Sequence, residues 1–207
     1  MSRNKPVFDP IANPSSFVTA GYARFTILTS RLIRMWFDPD GSFENRPSLT
    51  YWYRNFETPD FTTNTKDGSL LIETDHLILK YQNKDRFHWR DLSIKLKETG
   101  TIWRYGDTDH LNLGGTTRTL DSTVGSVPLD PGLISRSGWS VVDDSKTLVF
   151  GNNQWPEPRA KSLDYKDLYF YGYGQDYLTA VQDHQKLSGK PGLLPRWALG
   201  NWWSRFW

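Results

Sequence analysis

The feature that most constrains this sequence is a succession of short runs of β-branched and aromatic residues, each closed by a turn. Arg24-Phe25-Thr26-Ile27-Leu28-Thr29 and Arg31-Leu32-Ile33-Arg34-Met35-Trp36-Phe37 read as two strands around a tight turn, ended by Asp38-Pro39-Asp40-Gly41. The second strand puts Leu32, Arg34 and Trp36 on one face and Ile33, Met35 and Phe37 on the other, with Arg34 projecting at an edge. Phe61 to Thr65 and Ser69 to Thr74 flank Lys66-Asp67-Gly68, and Asp-Gly between apolar runs is a strong hairpin signal. His76 to Tyr81, the cleanly alternating Leu92 to Lys97, and Ile102 to Tyr105 follow. Short strands with turns between them predict an antiparallel sandwich.

From Gly106 to Gly138 the texture changes to Gly, Thr, Asp and Pro with little periodicity. Loops of that length inside a compact domain are usually functional or disordered. Strands resume at Trp139 to Val142, Thr147 to Phe150 and Asp167 to Tyr171, with Asp143-Asp144-Ser145-Lys146 expected as a hairpin turn. One helix is predicted from about Gln175 to Leu187, where Tyr177, Leu178, Val181 and His184 recur at helical spacing. Asp176 suits its first turn, and Gly189 and Pro191 end it. Pro195-Arg196-Trp197-Ala198-Leu199-Gly200-Asn201-Trp202-Trp203 and onward is apolar on both parities, the pattern of a parallel strand covered on both sides. The expected organisation is an irregular lead-in over 1–20, a sandwich over 21–174, a linking helix and connection over 175–194, and the first strand of a further domain over 195–207.

Charge excludes some functions. The 25 basic and 23 acidic residues leave a formal +2, with no basic stripe of the kind nucleic-acid binders show. No uncharged apolar run approaches the roughly 20 residues of a membrane span. The basic start Met1-Ser2-Arg3-Asn4-Lys5-Pro6 lacks the apolar segment of a secretory signal. There are no cysteines, so neither disulfides nor thiolate chemistry is available, and a cytoplasmic location is expected. The 10 Trp, 10 Tyr and 11 Phe suit a packed core and a sugar-binding cleft equally.

His76, His88, His110 and His184 are scattered without ligand spacing, which argues against a metal site. Tyr171-Gly172-Tyr173-Gly174 lacks the third glycine of a dinucleotide fingerprint. Ser135 and Ser137 have Arg and Asp nearby but no histidine at hand. Among Asp107, Asp109, Asp121, Asp130, Asp143 and Asp144, no pair stands out as the two carboxylates a glycosidase needs, and surface solvation is the ordinary fate of such residues. More informative is Asn112-Leu113-Gly114-Gly115-Thr116-Thr117-Arg118-Thr119-Leu120-Asp121. Its glycines permit unusual backbone conformations and its polar side chains suit sugar hydroxyls; it is equally a structural loop with Arg118 paired to Asp121.

Three stretches resemble glycoside hydrolase family 31, which holds α-glucosidases, α-xylosidases and relatives. Pro195 to Trp207 looks like the opening of the family's catalytic barrel, and Asp167 to Ala180 with the helix and Gly189 to Pro195 resembles its junction. The third runs from Asn112 to Asp121 and continues through Val127 to Trp139. The resemblance implies a galactose-mutarotase-like antiparallel β-sandwich, one helix, and the first strand of a truncated (β/α)8 barrel. It implies a retaining α-glycosidase acting on α-linked oligosaccharides without metal or organic cofactor, with no catalytic residue in this chain because both aspartates belong to later barrel strands. It offers Phe206 as a border of the cleavage subsite, and Asp130 and Arg136 as substrate contacts on a loop over the pocket. The isolated chain is then expected to be inactive.

Two rivals stand beside this reading. One is a stand-alone carbohydrate-binding sandwich, which the apolar tail with Trp202, Trp203, Phe206 and Trp207 opposes. The other is a self-contained mutarotase-like enzyme, which would need His88 or His110 in a cleft with a glutamate. A homo-oligomer is compatible with any of these.

Overall fold

The computed structural model describes residues 7–115, 122–159, 162 and 164–200. In chain order the first strands are β1 (Phe17–Ala20), β2 (Ala23–Thr29), β3 (Leu32–Phe37), β4 (Phe61–Lys66), β5 (Ser69–Thr74) and β6 (Leu77–Gln82). The rest are β7 (Leu92–Leu96), β8 (Ile102–Arg104), β9 (Ser140–Asp143), β10 (Val149–Phe150), β11 (Pro156–Glu157) and β12 (Lys166–Tyr171), followed by the helix α1 (Tyr177–Ser188). They form two five-stranded sheets, ordered β1-β2-β3-β12-β9 and β4-β5-β6-β7-β8, and a small β10-β11 ribbon. Every pairing among them is antiparallel.

The expected β-sandwich is present. Alternation explains the second sheet, where β5, β6 and β7 bury every other residue and leave the intervening ones in contact with water. At its first turn Asp67 and Gly68 both have positive φ (51° and 74°), as a two-residue hairpin twisting with its strands requires. Inward-facing Phe25, Ile27, Met35 and Phe170 of one sheet meet Leu70, Leu79, Ile94 and Trp103 of the other in a common core.

β3 and the last five residues of β12 are buried on both faces. Beyond the inter-sheet core, a second cluster unites Leu32, Tyr169 and Tyr171 of this sheet with Tyr51, Ala12 and the helix residues Ala180 and Leu187. A bulge feeds both cores from one strand. Ile27 pairs with Ile33 but Thr29 pairs with Leu32, leaving Leu28 unpaired in β2 and assigned to the outer cluster.

Four local expectations are corrected. Arg34 lies in a central strand, not at an edge, and is buried because its partner is also inside. Residues 17–20 are strand β1, since they can pair with β2. Asp143 to Lys146 turn the chain between strands of different sheets rather than within a hairpin, and Asp144 is buried. α1 forms close to the predicted span, with Asp176 as N-cap accepting from Thr179 N (3.2 Å) and Gly189 as C-cap at φ 92°. Its buried side is Ala180, Asp183 and Leu187, whereas Leu178 faces solvent, because the sheet it covers offers tyrosine hydroxyls as well as apolar surface.

The predicted strand from Pro195 does not form at its first residues. Arg196–Leu199 is a 3-10 turn, with Ala198 N bonded to Pro195 O at 2.9 Å. No neighbouring strand among the described residues supplies a ladder, so the backbone groups are satisfied locally. The remainder of that stretch, 201–207, lies outside the described residues.

Phe170 is fully buried, with its ring 5.3 Å from that of Trp103 across the sandwich. Phe170→Ala should lower stability by about 3–5 kcal/mol, read as a shift in the urea midpoint.

Candidate functional site

The long loop between β8 and β9 is an organised platform. Asp109 Oδ1 accepts from the hydroxyls of Ser135 (2.9 Å) and Ser137 (2.8 Å), and Asp109 Oδ2 accepts from Asn112 Nδ2 (3.1 Å). Asn112 Oδ1 accepts from Gly114 N (2.9 Å) and Gly132 N (2.6 Å), while its Nδ2 donates to Gly132 O (3.1 Å). One aspartate and one asparagine thus stitch the outgoing leg of the loop to the returning one. Gly132 is needed there because a Cβ would collide with the carbonyl of Gly114.

The platform is anchored at its return. Ser140 Oγ donates to Leu133 O (2.5 Å), and Gly174 N to Gly138 O (2.9 Å). Gln175 Nε2 donates to Arg136 O (3.2 Å), tying the loop to the start of α1, and Leu133 and Ile134 pack against the outer core. Outward, the loop presents Leu111, Leu113, Val124 and Leu129 as exposed apolar side chains.

Asp130 and Arg136 both sit on this platform with exposed side chains. Asp130 O accepts from Gly115 N (2.8 Å) and Arg136 N donates to Leu111 O (3.0 Å), so each is held by its backbone, and no hydrogen bond joins their side chains among the described residues. Phe206, and Thr116 to Asp121 with the expected Arg118–Asp121 pair, lie outside the described residues.

The other aspartates separate into two kinds. Asp107 accepts from Arg104 N (2.8 Å) and Asp143 from Ser145 N (2.9 Å), ordinary turn bonds at the surface. Asp144 and Asp167 are fully buried. Asp167 accepts two 2.7 Å bonds from Arg34 and one of 3.1 Å from Arg159, and Arg159 reaches Asp144 at 2.7 Å. Burial alone would raise the carboxyl of Asp167, but the Arg34 and Arg159 guanidiniums hold it below the usual range. Burial and the neighbouring Asp167 push Asp144 upward. Perturbed carboxylates often mark catalysis. These two are sealed under the outer face and committed to arginines, so their role is structural.

Sequence reasoning missed this cluster. Its signal was one buried charge in each of two apolar strands: in the β3–β12 register Arg34 lies opposite Tyr169 and Trp36 opposite Asp167, so Arg34 and Asp167 are diagonal neighbours on one face.

Tyrosines and a histidine dock α1 on that same face. Tyr171 Oη is 3.2 Å from Tyr51 Oη and 3.0 Å from His184 Nδ1, and Tyr173 Oη donates to Asp183 (2.7 Å). Burial lowers the His184 pKa and raises that of Tyr171. His76 bonds Ser30 Oγ (2.9 Å), and His88 lies 3.8 Å from Asp91. The four histidines remain scattered, and no group that could hold a metal ion occurs among the described residues. Among the described residues, no helix is long and apolar enough to cross a membrane.

No protein-family model and no curated protein matches this sequence. Among solved structures, the fold is similar to that of a GH31 dextranase of Flavobacterium johnsoniae, seen as a mutant complexed with isomaltotriose and as a complex with glucose. Each superposes with a TM-score of 0.52 at 16% identity, covering 87% of this chain. The chain therefore has the β-sandwich architecture found in that enzyme. It spans 27% of the dextranase's length. A GH31 alpha-xylosidase from Xanthomonas citri aligns over 67% of this chain and 12% of its own, also at 16% identity, with a TM-score of 0.35, a level that does not establish a common fold.

Two measurements probe this region. Asp109→Ala removes the acceptor shared by Ser135, Ser137 and Asn112, and should cost roughly 1–3 kcal/mol of local order. Hydrogen exchange should then quicken across 109–137 while β2, β3 and β12 keep their protection. His184 is harder to protonate in the folded state than unfolded. Its stabilising contribution is thus complete above the unfolded value of about 6.5 and is lost as pH falls through the lowered folded value. Urea midpoints should drop between pH 7.5 and 5.5, and drop less in His184→Gln.

Proposed function

We propose that this chain is the N-terminal sandwich portion of a retaining α-glycosidase of glycoside hydrolase family 31, acting on α-glucosides or α-xylosides. It buttresses a catalytic (β/α)8 barrel and shapes the mouth of the substrate pocket. The observation that carries this reading is the shared architecture with the dextranase over 87% of the chain, which accounts for only 27% of that enzyme. The resemblance of Pro195 to Trp207 to the start of a barrel points the same way. So does the exposure of Leu193, Leu194, Trp197 and Leu199, each at least 66% open to solvent, since large apolar groups clustered along a short segment suit a surface that another body covers.

In this reading the chain supplies no catalytic residue. Hydrolysis proceeds through a covalent glycosyl-aspartate, with a nucleophile and an acid/base both on the barrel. The contribution of the sandwich is position. A loop held by Asp109 and Asn112 keeps Asp130 and Arg136 at fixed places on the pocket rim, and Phe206 borders the sugar at the cleaved bond. No cofactor is invoked.

The test compares the complete gene product with the 207-residue chain on isomaltotriose and on 4-nitrophenyl α-glucoside and α-xyloside. Hydrolysis is expected from the complete product alone. In it, Asp130→Ala and Arg136→Ala should raise KM several-fold with a smaller effect on kcat, as groups that bind without entering the chemistry do. Activity in the isolated chain, or none in the complete product, overturns the proposal.

A further inference from the structure

A second surface shows chemistry that the pocket-rim reading does not use. Where the N-terminal segment crosses the β10–β11 ribbon there is a cleft of about 390 Å3, within the roughly 300–1,000 Å3 typical of small-ligand sites. Phe8, Pro47 and Phe150 give it an apolar wall, and Asn45, Asn152 and Gln154 give it an amide rim. The wall is preformed: the Phe8 and Phe150 rings lie 4.8 Å apart at 34°, and Trp52 meets both edge-on at 5.1 and 5.8 Å. None of the three rim amides has a side-chain hydrogen bond among the described residues, so all three remain available to a ligand.

Charge in the cleft is already balanced. Arg46 lines it, but its guanidinium is bound by Glu44 (2.6 Å) and by Glu157. The turn that contributes Asn152 and Gln154 closes through Gly151 N to Trp155 O (2.9 Å) and ends in Trp155, which is 71% exposed.

We propose that this cleft binds a neutral oligosaccharide. Pyranose rings present an apolar C–H face to the Phe8–Phe150 wall, and their adjacent hydroxyls match the paired donor and acceptor of each rim amide. An anionic ligand would find no unpaired cation here, and an apolar peptide would leave three amides desolvated and unmatched.

Affinity electrophoresis of the complete protein through dextran, soluble starch and xyloglucan tests this. Retardation by at least one of them is expected. Asn45→Ala, and separately the double change Asn152→Ala with Gln154→Ala, should weaken it roughly three- to tenfold. These side chains lie in surface loops and make no hydrogen bond among the described residues, so the melting temperature and any hydrolysis of a small aryl glycoside should be unchanged. Trp89→Ala, removing an exposed indole elsewhere, should leave retardation intact. No retardation of the wild type, or equal retardation of the wild type and both cleft variants, overturns the proposal. Loss of retardation in the variants of a protein without hydrolytic activity would retain this site and discard the glycosidase reading.

Discussion

The arrangement depends on a charge pair placed where charge is costly. Arg34 and Asp167 face each other from adjacent central strands and exchange two 2.7 Å bonds. Ions in a protein interior lose their hydration and need answering charges and donors, and removing one partner of such a pair costs on the order of 3–5 kcal/mol. The answers come from distant parts of the chain. Arg159 enters from the connection after β11, Asp144 from the turn after β9, and Arg54 donates to Tyr169 (2.7 Å) beside them. Several connections that look irregular in isolation are therefore bound to one place on the sheet.

That requirement also explains why the sheet is covered on both faces. An ordinary antiparallel sandwich leaves its outer faces wet, as β4 to β8 do here. The outer face of the other sheet carries an ion cluster, a row of tyrosines and Leu32, which together need a lid. The segment around Ala12, the loop containing Tyr51, and α1 provide it, and they hold the helix where the loop between β8 and β9 returns to the sheet.

The strands were legible because alternation and turn chemistry are local properties. The central pair was harder to interpret, since β3 and β12 are apolar on both parities yet antiparallel, and Arg34 reads as an edge residue until its partner 133 positions away is known. The helix was legible in extent but not in orientation, because its buried side includes Asp183, which a hydrophobic pattern cannot select. The long loop announced itself by lacking periodicity. Its organisation around Asp109 and Asn112 did not, because both are common turn residues, and only the fold brings Ser135, Ser137 and Gly132 within reach of them. The sugar-facing cleft was invisible for the same reason, as its parts come from residues 8, 45 and 150–154.

The extra residue in β2 has a consequence of its own. Because Leu28 has no partner in the ladder, the strand before it and the strand after it read in opposite phase. Substituting Leu28 would alter one plug in the outer layer. Deleting it would leave Ile27 opposite Ile33 and Thr29 opposite Leu32 in an unbroken ladder, and would take from the outer cluster the one side chain that β2 gives it. The ladder does not need the extra residue and the outer layer does, so the bulge is justified only by a side chain large and apolar enough to fill that place.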